Sequence, residues 1–326
     1  MSLGEFELIN QYFRPAADKP DGDAVVLGIG DDAALIQADP AQQLVVAADA
    51  LVAGVHFPGD AEAELVGERS LRVNLSDMAA MGAEPAWYTL SLTLPAEWHE
   101  EQRRDWVAGF SRGLRQASEA FGCELVGGDT TSGPLHIGIQ MLGQVPPGKA
   151  LRRDGACVGD FVLVTHTLGD GAAALKSLNA PELWSESQCA YLFERFYRPM
   201  PRITEGVLLR DIASSAQDVS DGFLADLGHI CHASDVGAEV EVERLPMSEA
   251  VRAVDLQSAR GLALTGGDDY ELVFTLSPDK MPELAMAQAR GDIAATVVGR
   301  IVAGAGVHCL LNDEPYNLDA TGYRHF

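Results

Sequence analysis

The chain has 326 residues, 47% of them hydrophobic and 22% charged, and a net charge of −25. That length and composition suit two ordinary globular domains. The charge excludes a nucleic-acid partner, since no Lys/Arg cluster exceeds pairs such as Arg103-Arg104 and Arg152-Arg153, and no apolar run is long enough to span a bilayer. The first residues carry Glu5 and Glu7 where a signal peptide would be apolar. Five scattered cysteines (Cys123, Cys157, Cys189, Cys231, Cys309) without CxxC spacing argue against disulfides or zinc and predict a reducing cytoplasm.

Ser2 and Glu5 form a capping-box pattern, and Phe6, Ile9 and Phe13 an apolar helical stripe. Strand-like runs follow at 24–29 and 44–48. Leu71, Leu75 and Met78 share one face of a helix that Gly82 can terminate. Tyr88, Leu90, Leu92 and Leu94 alternate with Thr89, Ser91 and Thr93, the pattern of a half-buried strand. Trp106, Phe110, Leu114, Ala117 and Phe121 line a second amphipathic helix, with strands predicted at 123–126 and 136–145. After Gly148 the alternation restarts, with strands at 161–165 and 270–276 and helices at 190–197, 203–212 and 224–233. The pattern predicts an α+β protein of two α/β-type domains, 1–148 and 149–326, meeting near 145–153.

Four short stretches set carboxylates beside glycine or hydroxyl residues: Gly30-Asp31-Asp32, Gly128-Asp129-Thr130-Thr131, Asp218-Val219-Ser220-Asp221-Gly222 and Gly267-Asp268-Asp269-Tyr270-Glu271. Any one of them alone reads equally as a turn. Together, each near an apolar strand-like run, they suit hard cations, which take oxygen ligands and need close backbone approach. An acidic protein that binds a polyanion must also mask its own repulsion, which divalent cations do. The motifs therefore point to a metal-dependent enzyme acting on phosphates.

Two other phosphate-binding patterns read as decoys. Gly143-Gln144-Val145-Pro146-Pro147-Gly148-Lys149-Ala150 nearly spells a P-loop, but Ala150 lacks the metal-binding hydroxyl and two prolines remove amides. Gly28-Ile29-Gly30-Asp31-Asp32-Ala33 resembles a dinucleotide fingerprint, but its acids are the wrong sign for pyrophosphate, and Pro40 leaves no room for the helix.

Read in order, Gly4-Glu5-Phe6, Gly28-Ile29-Gly30-Asp31-Asp32, Val73-Asn74-Leu75-Ser76-Asp77-Met78-Ala79-Ala80-Met81-Gly82, Gly127-Gly128-Asp129-Thr130-Thr131, Asp218-Val219-Ser220-Asp221-Gly222 and Gly267-Asp268-Asp269-Tyr270-Glu271-Leu272 resemble the bacterial thiamine-monophosphate kinase family. The resemblance runs from Gly4 to Phe326. The Asn-Leu-Ser-Asp-Met stretch is shared with aminoimidazole-ribotide synthetase and selenophosphate synthetase; the first and last motifs and the Gly-Tyr-x-His-Phe ending are closer to the kinase. The resemblance implies transfer of the γ-phosphoryl of ATP to thiamine monophosphate, giving thiamine diphosphate. It also implies an N-terminal domain that forms a β-barrel with its twin in a homodimer, and an active site between the two domains.

Carried over by position, the resemblance implies Mg²⁺ ligands at Asp32, Asp49, Asp77, Asp129, Asp218 and Asp221, with the backbone of Ala48 beside them. It implies ATP contacts at Gly128, Asp129, Arg153 and Ser220, with Arg153 able to neutralise the transferring phosphoryl or simply to answer Asp154. Asp77, Asp129, Asp221 and Arg153 carry the catalytic role. It implies substrate contacts at His56, Asp268 and Tyr323; a carboxylate and an aromatic ring suit a cationic thiazolium. Two departures stand out: Ala47-Ala48-Asp49 replaces a hydroxyl-bearing Ser/Thr-Thr-Asp, and Asp268 stands where Glu is common. Alternatives are a sister ATP-dependent enzyme with another acceptor, or a non-enzymatic binder of metal or thiamine phosphate. The first cysteine being Cys123 and the Arg324-His325-Phe326 ending disfavour the selenophosphate synthetase and hydrogenase-maturation relatives.

Overall fold

The computed structural model describes residues 5–14 and 24–317, so the Ser2 cap, Gly4, Tyr323 and the Arg324-His325-Phe326 ending lie outside the described residues. The chain forms two compact units, Met1–Met78 with Ala83–Gly148, and Ala79–Gly82 with Lys149–Phe326.

In the first unit, α1 (Glu5–Leu8) runs into a π turn at Ile9–Phe13. β1 (Val25–Leu27) pairs antiparallel with β2 (Leu35–Ile36), so a strand rather than a dinucleotide-binding helix follows Gly30-Asp31-Asp32. The main sheet joins β3 (Gln43–Val52), β4 (Glu84–Leu94), β5 (Glu124–Ser132) and β6 (His136–Val145) in the order β3-β6-β4-β5. Only β4 and β5 run parallel, as a crossover through a helix requires. That helix is α3 (Glu100–Phe121), and α2 (Ala63–Ala80) packs against it.

The predicted alternation of β4 holds: Tyr88, Leu90, Leu92 and Leu94 are buried, and Tyr88 bonds Ser118 of α3 at 2.6 Å. The two helices approach so closely that a Cβ on Gly67 would lie 2.2 Å from the Phe110 carbonyl oxygen, and one on Gly113 would lie 1.8 Å from that of Glu64. α2 stops where Gly82 takes a left-handed φ of 60°, letting Ala83 N–H reach back to the Met78 carbonyl. β5 continues past the predicted end at 126 through Gly127-Gly128-Asp129-Thr130-Thr131, so this motif is itself strand. The four strands form an open mixed sheet; no closed barrel exists among the described residues.

The second unit contains β7 (Phe161–Thr165), α4 (Asp170–Asn179), α5 (Glu186–Tyr197), α6 (Ile203–Leu209), β8 (Ser215–Asp218), α7 (Phe223–Ser234) and β9 (Gly237–Glu241). α8 (Leu256–Thr265), β10 (Leu272–Leu276), α9 (Met281–Arg290), β11 (Ala295–Val302), β12 (Gly306–Leu311) and β13 (Glu314–Pro315) follow. Its sheet has the order β13-β12-β9-β11-β7-β10-β8, antiparallel except for the β12–β9 pair.

The β7, β10 and β8 part of this sheet is buried on both faces. Val162, Val164, Val273 and Val298 pack with Phe223, Leu227 and Ile230, while Leu163, Leu272, Phe274 and Leu276 pack with Leu209 and Leu284. Burial on both faces is why β7 and β10 read as continuous apolar runs rather than alternating ones.

In this unit β8, β10 and α6 depart from the sequence pattern. β8 is polar, Ser-Ala-Gln-Asp, yet fully buried, because Ser215 bonds Thr275 at 2.6 Å and Gln217 donates to Asp226 at 2.8 Å. β10 starts at Leu272 rather than at 270, since Tyr270 has a φ of 53° that no strand accommodates. α6 ends at Leu209, before the predicted 212. No helix among the described residues is long and apolar enough to cross a membrane.

Candidate functional site

In the first unit, pairing places Asp49 of β3 opposite Ile139, Ile139 opposite Leu90, and Leu90 opposite Gly128. Asp49 and Gly128 therefore share one row of the sheet, three strand spacings or roughly 14 Å apart. The Asp49 N–H donates to Oδ1 of the fully buried Asn74 at 3.2 Å, and the Asn74 amide donates to the Ser70 carbonyl at 2.8 Å. Half-buried Asp77 lies one turn further along α2, between fully buried Leu75 and Met78. Ala48 is an exposed strand residue paired with Gln140.

A cleft of about 790 Å³ is lined by Asp32, Gly30, Arg14, Gly128 and Asp129, among others. Gly128 is required by space: a Cβ there would lie 2.0 Å from the Leu90 carbonyl oxygen, so only glycine lets β5 lie this close to β4. The cleft thus gathers Asp32, Gly128 and Asp129, whereas Asp49, Asp77 and His56 do not line it. His56 sits in the turn that ends β3, with Nδ1 accepting the Val52 N–H at 3.0 Å. That bond fixes the neutral tautomer that donates from Nε2.

In the second unit two motifs are sewn together. β8 and β10 pair with Asp218 opposite Leu272, and beyond the strand ends the Asp268 and Tyr270 N–H groups donate to the Ser220 and Val219 carbonyls, both at 2.9 Å. Asp218, Ser220, Asp221 and Asp268 therefore meet at one end of this sheet. Asp226, which the sequence reading missed, organises the loop. Its Oδ2 accepts the N–H groups of Ser220, Asp221 and Gly222, each at 3.1 Å. A signal for it exists in the sequence: an acid in the first turn of a helix, behind a Ser-Asp-Gly loop, can reach back to free amides.

Burial pushes the Asp226 carboxyl up to about 7, and the neighbouring Asp218 and Asp221 carboxylates push it the same way. Asp221, Asp226 and His229 also bring ligand atoms within 4.8 Å of one another. Crowded carboxylates at the end of a sheet, offering hard oxygen donors, fit Mg²⁺.

Arg153 is exposed, and Arg152 rather than Arg153 pairs with Asp154, at 2.5 Å. The Arg153 carbonyl accepts from Ser234, the last residue of α7, whereas Ser220 and Asp221 precede the first. The length of that helix, roughly 17 Å, separates the Arg153 backbone from Ser220. Asp268 is half-buried beside Asp269, which is 1% exposed. Tyr323 lies outside the described residues.

The chain matches the AIR synthase related protein N-terminal domain over residues 30–145 and the C-terminal domain of the same family over residues 158–311. It is 44% identical to thiamine-monophosphate kinase of Escherichia coli K12 across 100% of this chain and 99% of that protein. The crystal structure of thiamine-monophosphate kinase from Stenotrophomonas maltophilia K279a superposes with a TM-score of 0.86 at 45% identity, covering 97% of this chain and 99% of that one. A second solved structure, AaThiL complexed with AMPPCP and TMP, has a TM-score of 0.76 at 30% identity over 99% and 97% of the two chains. With both domains matched in order and full-length identity well above the level at which families blur, the chain belongs to the thiamine-monophosphate kinase family of AIR synthase related proteins.

Proposed function

We infer that this chain is a thiamine-monophosphate kinase that transfers the γ-phosphoryl of ATP to thiamine monophosphate, giving thiamine diphosphate. The observation that carries this reading is the 44% identity over the full chain to a curated kinase of that name. A relative of the same fold holds AMPPCP and TMP, an ATP analogue and the acceptor this reading requires.

The chemistry agrees with the residues. A phosphate monoester has its second pKa near ~6, so the acceptor oxygen is already largely deprotonated at neutral pH and needs no general base. What the transfer needs is in-line alignment and relief of repulsion between two polyanions. Bound Mg²⁺ would supply charge neutralisation, and Asp32, Asp49, Asp77, Asp129, Asp218 and Asp221, with the Ala48 carbonyl, are the groups proposed to hold it. Gly128, Ser220 and Arg153 are proposed to bind ATP, and His56, Asp268 and Tyr323 to bind thiamine monophosphate. In this scheme His56 contributes a neutral Nε2–H donor, and Asp226 keeps Ser220 and Asp221 in place.

Homodimerisation through a shared barrel is part of the same proposal. β3 is an edge strand that exposes Leu44 at 50% and Val46 at 66%, apolar surface that a second copy would cover. Location in the cytoplasm is proposed from the five cysteines, none in a disulfide.

The test is to incubate the purified protein with Mg²⁺, ATP and thiamine monophosphate and to follow thiamine diphosphate by chromatography. Product that vanishes with EDTA is expected. ATP binding without that product would remove the kinase assignment and leave the fold.

A further inference from the structure

The 267–271 motif of the second unit holds two left-handed residues that are not glycine, Asp268 at φ 74° and Tyr270 at φ 53°. For a bulky residue such as tyrosine this conformation persists only where its surroundings over-determine it. What fixes it here is a buried polar assembly. The Asp269 carboxylate accepts the N–H groups of Gly169 at 2.6 Å and Gly171 at 3.0 Å, at the start of α4. The Arg195 guanidinium donates to the Asp269 carbonyl at 3.3 Å and to Glu271 at 2.9 Å, and its Nε lies 3.5 Å from Asp170. Fully buried Glu271 also accepts from Arg202 at 2.6 and 2.7 Å and from Thr165 at 2.7 Å. None of these groups has a part in the phosphoryl transfer described above.

We propose that Arg195, Asp269 and Glu271 are positioning residues that hold the 267–271 segment so that Asp268 meets the cationic ring of thiamine monophosphate, setting the affinity for that substrate and not for ATP. The proposal rests on the kinase reading. The division between substrates follows from how each loop is anchored. Besides the bonds that the Asp268 and Tyr270 N–H groups make to the Ser220 and Val219 carbonyls, the Ser220–Gly222 loop has a clamp of its own in the Asp226 carboxylate, which holds its three N–H groups when the 267–271 segment loosens. Arg195 bridges the Asp269 carbonyl and the Glu271 carboxylate, and a lysine cannot reproduce the planar fork that reaches Asp170 as well. In Asp269→Asn one backbone N–H would face an amide NH₂ instead of an acceptor.

The test uses full-length Arg195→Lys, Asp269→Asn, Asp268→Ala and the double variant of Asp268→Ala with Arg195→Lys, each assayed against both substrates. The KM for thiamine monophosphate should rise about tenfold or more in each single variant, the size of one lost charge-assisted bond. The KM for ATP should stay within about twofold. The double variant should be no worse than Asp268→Ala, because the network acts through that residue. Equal rises in both KM values, or defects that multiply in the double variant, would overturn the proposal while leaving the kinase standing. A wild-type protein that makes no thiamine diphosphate would overturn both. If Arg195→Lys does not fold, Asp269→Asn alone and combined with Asp268→Ala gives the same comparison.

Discussion

Asn74 lies inside α2 with no solvent exposure, and both ends of its amide are in use, one on the Asp49 N–H and the other on the Ser70 carbonyl. Replacing it with alanine leaves a strand N–H without its acceptor, at a cost of about 1–3 kcal/mol. Asn74→Ala should therefore melt lower and need more Mg²⁺ for half-maximal activity, since Asp49 loses its anchor; an unchanged Mg²⁺ titration would show that Asp49 needs no such support. Asp269 gives a pH signature. Burial pushes its carboxyl up to about 8, assisted by Asp170, against the pull of the Gly169 and Gly171 N–H groups. The folded pKa is thus above the value of 3.8 for a free aspartate, so folding takes up a proton in the interval between them. The stability this brings is full below the lower value and is lost as pH rises through the upper one. Urea unfolding at about pH 6 and about pH 9 should show the wild type losing stability to a greater extent than Asp269→Asn.

At the scale of elements, the α2–α3 contact rests on glycines that propensity alone would disfavour inside helices. With a Cβ on Gly113 meeting the Glu64 carbonyl oxygen at 1.8 Å, Gly113→Ala must push the helices apart. The expected loss is about 1–3 kcal/mol, read as a lower melting temperature, whereas at exposed, open Gly59 the same change should be nearly neutral. Periodicity marked α3, β4, β6 and β7 because each buries one face or both in an apolar layer. It missed β8, whose Ser215 and Gln217 are buried through hydrogen bonds that a sequence window does not contain. It also ended β5 too early, since Gly127-Gly128 reads as a turn until the Leu90 backbone is seen against it.

For the whole molecule, a net charge of −25 opposes compaction wherever carboxylates crowd, and the carboxylates of Asp218, Asp221 and Asp226 do so at the end of β8, in the loop after it and in α7. A divalent cation that binds the folded state alone stabilises it by mass action. Millimolar Mg²⁺ should raise the melting temperature by roughly 3–5 °C beyond NaCl of equal ionic strength. Asp221→Asn should shrink that increment, and an equal response to both salts would mean screening without a site. By itself the sequence determined the carboxylate motifs, the amphipathic faces and the family resemblance, because these depend on residue type and short spacing. Only the tertiary structure decided that the 218–222 and 267–271 motifs touch, that Asp226 clamps one and Asp269 the other, and that Arg153 and Ser220 sit at opposite ends of α7. Apart from the Asp226 clamp, which is local, those relations join residues tens of positions apart through backbone hydrogen bonds and buried charge, which local patterning does not encode.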